Sequence, residues 1–304
     1  MQIVREIPEL QALADAERAA GRRIGLVPTM GALHAGHLAL VVEARRRADF
    51  VCVSIFVNPS QFGPSEDLGA YPRSFERDAE QCREHGVDAI FAPDEAAVYP
   101  SGYQSWVSVT ELAKPLCGRS RPVHFRGVAT VVTKLLTAAK PHLAVFGEKD
   151  FQQLALIRRL VLDLGFDVEI VGVPTVREAD GLALSSRNAY LDAATRPQAV
   201  CLVRALSAAE RAVAAGERSR DSLLQLVRGE IEKAPQADLD YAELRDPDSL
   251  EPAPEALAAP TLLALAVRFP RGEGRDGQNV RLIDNRVLLP QPKSQSPNSN
   301  RNGN

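Results

Sequence analysis

His34 and His37 lie three residues apart in Pro28-Thr29-Met30-Gly31-Ala32-Leu33-His34-Ala35-Gly36-His37, between an apolar run and a helical pattern. Where a strand gives way to a helix, unpaired N–H groups and the helix dipole favour an anion. Two imidazoles at that point can meet the phosphates of ATP. A neutral histidine donates a hydrogen bond, and a protonated one stabilises developing charge more strongly. Gly31 and Gly36 leave room for a nucleotide to approach the backbone. The chemistry this suits is nucleotidyl transfer; the plainer alternative is a pair of helix-start histidines with no ligand.

Later segments share this polar character. Gly147-Glu148-Lys149-Asp150 directly follows an apolar run. Lys149 offers a mobile cation for phosphate, and Asp150 can orient it, hold ribose hydroxyls or reach Mg2+. A solvated turn of mixed charge competes with that reading. Ser185-Ser186-Arg187-Asn188 presents hydroxyls and a guanidinium that match phosphate oxygens, or else caps a helix. Gln61, in Asn58-Pro59-Ser60-Gln61-Phe62-Gly63, offers an amide suited to the hydroxyl and carboxylate of a small polar acid, as do Gln152 and Gln153. Arg119, Arg121, His124 and Arg126 form a basic stretch able to retain an anion, with a solvated loop as the alternative.

Other schemes fit less well. There is no G-x-x-x-x-G-K-[ST] loop and no G-x-G-x-x-G at a strand-to-helix turn, so phosphate contact falls to histidines and a dinucleotide oxidoreductase is disfavoured. No G-x-S-x-G elbow or H-E-x-x-H is present, and no nearby cysteine or third histidine completes a zinc set with His34 and His37. The sequence does not say which residues would hold a metal.

The 304 residues suit two unequal domains. Hydrophobic residues make up 45% and charged residues 25%, an ordinary soluble composition, and a net charge of -3 gives no reason to expect nucleic acid or an anionic membrane as partner. Cys52, Cys82, Cys117 and Cys201 are scattered without paired spacing, as reduced thiols of a cytoplasmic protein would be. Met1-Gln2-Ile3-Val4-Arg5-Glu6 lacks the apolar core of a signal peptide. No run reaches the ~20 apolar residues of a membrane helix. The expectation is a cytoplasmic protein with no membrane partner.

Positioning falls to alternating strands and helices. Residues 8–20 read as a helix ending near Gly21, and 24–27 as a buried strand closed by Pro28. From His37 a helix follows, with Leu38, Val41, Val42, Ala44 and Ala48 as its apolar stripe. Residues 51–57 form the clearest strand, stopped by Asn58-Pro59. Helices at 73–85, 127–139 and 151–164 then alternate with strands at 87–91, 143–146 and 168–171. The alternation predicts an α/β fold with a mostly parallel sheet covered on both faces and ligands beyond the carboxyl ends of its strands. After about Arg187 the rhythm changes to helices at 195–215 and 219–233, and to runs at 262–267 and 280–283 that suit a small antiparallel unit.

In these segments the chain resembles the pantothenate synthetase family, also called pantoate–beta-alanine ligase. The resemblance is carried by the 28–37 run, Ser54-Ile55-Phe56-Val57-Asn58-Pro59, Gln61-Phe62 and His124-Phe125-Arg126-Gly127-Val128. It continues in Phe146-Gly147-Glu148-Lys149-Asp150-Phe151-Gln152-Gln153-Leu154, Asp180-Gly181-Leu182-Ala183-Leu184-Ser185-Ser186-Arg187-Asn188 and Arg281-Leu282-Ile283-Asp284-Asn285. The pieces fall in order across residues 1 to about 289. The resemblance implies a Rossmann-like nucleotidyltransferase domain over 1–185, a smaller C-terminal α+β lid domain over 186–289, and assembly as a homodimer. Two departures lie in the 270–279 loop, which looks longer than usual, and in 290–304, expected to be a disordered tail.

The family joins pantoate to beta-alanine with ATP and Mg2+, releasing AMP and pyrophosphate. Carried onto this chain, Met30, Gly31, Ala32, Leu33, His34, Ala35, Gly36, His37, Gly147, Glu148, Lys149 and Asp150 would bind ATP, with Val176, Leu184, Ser185, Ser186 and Arg187 closing over it. Gln61 and Gln153 would meet pantoate. His37 would be the catalytic group, usually described as a proton donor, assisted by His34 and Lys149. Two other readings stay open: a nucleotidyltransferase that stops once AMP is transferred, and a catalytically silent oligomeric binding protein.

Overall fold

Consecutive apolar residues become the strands of a six-stranded sheet in which every pair is parallel. These are β1 (Gln2–Val4), β2 (Ile24–Thr29), β3 (Phe50–Ile55), β4 (Ala89–Phe91), β5 (Leu143–Gly147) and β6 (Glu169–Val173), in the spatial order β1-β4-β3-β2-β5-β6. Helices α1 (Ile7–Ala19), α2 (Ala35–Arg47), α3 (Phe75–Glu84), the short α4 (Glu95–Val98) and α5 (Cys117–Ser120), α6 (His124–Ala139) and α7 (Phe151–Leu164) fall between them. The computed structural model describes residues 1–63, 68–69, 71–270 and 279–290. The long loop at 270–279 and the tail at 290–304 therefore lie outside the described residues, except for Pro270, Asn279 and Pro290.

Successive side chains of a strand point to opposite faces, and both faces here are covered, which is why the strands read as unbroken apolar runs. Leu26, Cys52, Phe91 and Phe146 join a core with α1, α6 and α7. Their neighbours Val27, Val53, Ile90 and Val145 join a second core with α2 and α3. A third core lies between α8 (Cys201–Ala214) and α9 (Arg220–Glu232) and an antiparallel sheet of β7 (Asp238–Arg245), β8 (Thr261–Phe269) and β9 (Val280–Leu288).

Several details depart from the sequence reading. Strand β2 runs through Pro28 to Thr29 and pairs with β3 along that whole length. The Thr29 amide faces β3, where it reaches Ser54 Oγ at 3.3 Å, so the proline nitrogen lies on the other edge and costs that ladder nothing. Val42, placed in the apolar stripe of α2, is 57% exposed, whereas Leu40 is buried in its stead. Strands β1 and β7 went unread, the first for brevity and the second because Asp238, Asp240, Glu243 and Arg245 obscure its alternation. The helix read from 195 begins only at Cys201, after a 3-10 turn at Gln198–Val200 that follows Pro197.

Leu26 is fully enclosed on the sheet and Val42 is not. Leu26→Ala is expected to cost about 2–5 kcal/mol of unfolding free energy, with Val42→Ala within about 0.5 kcal/mol of the parent. Urea denaturation of both variants tests this, and equal losses would contradict the core assignment.

Candidate active site

The site follows from how the sheet changes direction. From β2 the chain adds β3 on one side and later β5 on the other, so the loops after β2 and β5 open away from each other at the carboxyl edge. β2 and β5 pair only at Gly25 and Leu26. Beyond them lies a cavity of about 240 Å3.

One wall is the loop after β2 and the start of α2. Gly31 takes φ +83°, and the amides of Ala32 and Leu33 donate to the Asp78 carboxylate at 2.8 and 2.9 Å. Those N–H groups are spent on α3 and do not point into the cavity. His34 caps α2, its Nδ1 accepting from the Gly36 amide at 3.1 Å. That bond leaves the neutral ring's proton on Nε2, as a donor. The rings of His34 and His37 lie 4.1 Å apart between centroids, tilted by 32°. His37 Nδ1 is fully enclosed with no hydrogen-bond partner among the described residues. Such an atom normally costs stability.

The facing wall is the 3-10 turn Glu148–Asp150 after β5. Lys149 Nζ stands 3.8 Å from Asp150 Oδ2. The Asp150 carboxyl opens to the cleft but is otherwise surrounded by protein; that enclosure alone would raise its pKa, yet Lys149, Arg187, His124 and Arg121 together hold it below the ordinary value. Burial and then Lys149 lower the pKa of His34. His37 is pushed down to about 3, by enclosure first and then by His34 and Lys149, with Asp150 opposing. Both rings are therefore neutral donors near pH 7.

A third wall is a hairpin in which the Leu184 amide reaches the Val176 carbonyl at 2.9 Å. Ser185 then caps the turn Ser186–Tyr190 by accepting from the Arg187 amide at 3.2 Å. Tyr71, unremarked in the sequence, hydrogen-bonds to Ser186. Gln61 closes the floor. Its Nε2 reaches Met30 Sδ at 2.8 Å, and its carbonyl accepts from His124 Nδ1 at 3.0 Å. The Gln61 turn lies so close to α6 that a Cβ on Gly127 would stand 2.5 Å from the Ser60 carbonyl oxygen. Only glycine fits there.

Of the proposed nucleotide contacts, Met30, His34, Gly36, His37, Gly147, Lys149, Asp150, Val176, Leu184, Ser185, Ser186 and Arg187 border this one cavity, together with Gln61 and Gln153. Gly31, Ala32, Leu33, Ala35 and Glu148 do not border it and shape the walls from behind. Gln152 differs from its neighbour: it is buried, with Nε2 donating to the Leu112 and Pro115 carbonyls and Oε1 accepting from the Cys117 amide, so it fastens a loop. Asp78 and Asn58 were missed because an acidic residue in a first helical turn and an asparagine before proline look like ordinary caps. A second cavity of about 300 Å3, toward β7–β9, shares Lys149, Asp150 and Arg187 with the first.

A parallel α/β sheet with a histidine-bearing helix start and cationic walls at its switch point defines a Rossmann-like nucleotidyltransferase fold. The sequence pattern described as Pantoate-beta-alanine ligase matches residues 2–287, and the chain belongs to that family. It is 52% identical over 290 residues to the pantothenate synthetase of Syntrophobacter fumaroxidans, covering 95% of this chain and 99% of that one. The Geobacter sulfurreducens pantothenate synthetase is 51% identical over 288 residues, covering 95% and 99%. Among solved structures, the pantothenate synthetase of Thermus thermophilus superposes with a TM-score of 0.88 at 46% identity, covering 95% of this chain and all of that one. The Francisella tularensis pantoate-beta-alanine ligase, complexed with Beta-gamma ATP and Beta-alanine, gives 0.73 at 33% identity over 94% and 97% of the two chains.

The depressed pKa of His37 has a consequence for folding. The unfolded chain can protonate this ring below about 6.5 and the folded chain cannot until about 3. Its contribution is therefore fully present above about 6.5 and is lost as pH falls toward about 3, by up to about 1.4 kcal/mol per pH unit. Urea midpoints should fall through that window and fall less in His37→Gln. Identical pH slopes in the two proteins would remove His37 as the cause.

Proposed function

We propose that this cleft carries out the ATP-dependent joining of pantoate to beta-alanine in two steps, through a pantoyl adenylate that stays bound. The observation that carries the reading is the convergence of His34, His37, Lys149, Arg187, Gln61 and Gln153 on one cavity at the carboxyl edge of the sheet. A triphosphate offers its oxygens as acceptors to the neutral imidazoles, the Lys149 ammonium and the Arg187 guanidinium that border the cavity. An amide pair suits the hydroxyl and carboxylate of pantoate, and Val128, Val131 and Val132 line the same cavity as an apolar surface for its methyl groups.

In the first step the pantoate carboxylate attacks the α-phosphorus of ATP and pyrophosphate leaves. His34, His37 and Lys149 stabilise the charge that grows on the phosphate oxygens. His37 acts as a hydrogen-bond donor in its neutral form. In the second step the free amine of beta-alanine attacks the adenylate carbonyl, AMP leaves, and the amine's proton passes to solvent. Holding the two reactants together and keeping water from the mixed anhydride supplies much of the rate. Gln61, set near both acids, is positioned by the Asn58 and Gly127 contacts of its turn.

The residues present also suit Mg2+. Among the described residues no group of three or more His, Cys, Asp or Glu side chains forms a protein-made metal site. Asp150, kept ionised by its cationic neighbours, borders both cavities, and Mg2+ arriving on a triphosphate needs only one or two carboxylates. Bound there it supplies Lewis-acid stabilisation of phosphate charge. Residues 186–289, whose helices and antiparallel sheet share a core, serve as the lid over the domain formed by 1–185. The four cysteines are free and buried, as suits a cytoplasmic setting, and a homodimer is the assembly that the family resemblance implies; among the described residues no helix is long and apolar enough to cross a membrane.

Omitting ATP, pantoate or beta-alanine in turn should abolish AMP release, and ATP with pantoate alone should give a burst of pyrophosphate equal to the enzyme. Pyrophosphate release with a product that still carries AMP after beta-alanine is added would instead identify a nucleotidyltransferase. His37→Ala is expected to lower kcat/KM about 100-fold or more while keeping its melting temperature near the parent's at pH 7. Full activity in that variant would exclude the role given to His37.

A further inference from the structure

β9 runs between two of the cleft's walls and sends consecutive side chains to opposite faces. Asn285 turns toward the wall after β5, its Nδ2 donating to the Glu148 and Lys149 carbonyls, each at 2.9 Å. Asp284 turns toward the hairpin wall and takes both Arg177 Nη groups, at 2.7 and 2.9 Å, on a carboxylate that is 1% exposed. Arg177 also donates to the Gly181 carbonyl at 3.0 Å, inside the hairpin that pairs Val176 with Leu184. The Asn285 amide closes the arrangement by donating to Asp284 Oδ1 at 2.8 Å. Neither side chain borders the histidine cavity.

We propose that Asp284 and Asn285 are positioning residues for the ligase reaction: β9 fixes Lys149 through its backbone and the segment from Val176 to Arg187 through Arg177, and so sets the gap across which the nucleotide is held. The inference rests on the reading of those two walls as the nucleotide contacts. Its physical basis is the type of contact used. A bidentate guanidinium–carboxylate pair specifies direction as well as distance, while desolvation offsets much of what a buried ion pair adds to stability. An amide fork on two successive carbonyls fixes a turn irrespective of the side chains that the turn displays. The two devices are therefore better suited to locating walls than to holding the fold together.

The test is a double-mutant cycle read in substrate-specific constants. Asn285→Leu keeps nearly the same shape without the donor. It should raise the KM for ATP and lower kcat/KM for ATP about 10- to 100-fold, leaving the KM for pantoate near the parent's. Asp284→Asn should shift the same constant. In a Lys149→Ala background Asn285→Leu should add little, since both act through one group. Equal rises in the KM of every substrate, an unchanged KM for ATP, or two losses that multiply independently would each overturn the proposal. A fully active Lys149→Ala would overturn the reading of Lys149 as a phosphate contact, and this inference with it. Asn285→Ala provides a second route if the leucine variant does not fold; if neither folds, the contact supports the fold and the proposal is wrong.

Discussion

The early parting of β2 from β5 is the constraint on which the site depends. Ile24 bonds toward β5, its carbonyl accepting from the His142 amide at 2.8 Å, and alternate residues of a parallel strand turn the same way. After Leu26 the next amide facing β5 would belong to residue 28, and Pro28 has none. The ladder ends there while β2 continues against β3 as far as Ile55. One ring thus ends the pairing on the side where a crevice is needed and leaves the opposite edge intact. The histidine helix start and the Lys149 turn emerge from the two parted strands and face each other across the opening.

Electrostatics of the crevice follow from that geometry. Two imidazoles, Lys149 and Arg187 border one cavity with Asp150. Burial first, and then neighbouring charge, keeps both rings neutral. For His37 the influence of Lys149 ranks behind burial and the neighbouring His34 ring.

Much of this arrangement was legible because it depends on local sequence. An apolar run followed by polar residues marks a strand end, and a doubly wound sheet gathers its strand ends along one edge. Residues 34, 37, 61, 149, 153 and 187 could therefore be placed in one neighbourhood from the sequence alone. What stayed hidden depends on partners distant in sequence. Asp78 binds amides about 45 positions earlier, and Gln152 was indistinguishable from Gln153 until loop 112–117 was seen to occupy it. Val42 misled because half a turn of rotation separates a core position from a solvent one, and α2 has apolar residues on both sides of its stripe. The termination caused by Pro28 was expected of the whole strand and applies to one edge only, a distinction that no single-chain pattern encodes.

The small antiparallel sheet raises a different question, because it contributes so little side-chain chemistry to the histidine cavity. None of β7, β8 or β9 borders that cavity, yet β9 holds two of its walls. A lid that met the substrate with its own side chains would have to be in place before it could recognise anything. A strand that grips the walls through backbone carbonyls and a single ion pair acts on the gap itself. The second cavity shares Lys149, Asp150 and Arg187 with the first and is bordered by Asp284 and Asn285 themselves, so the strand that fixes the two walls also lines the space adjoining them.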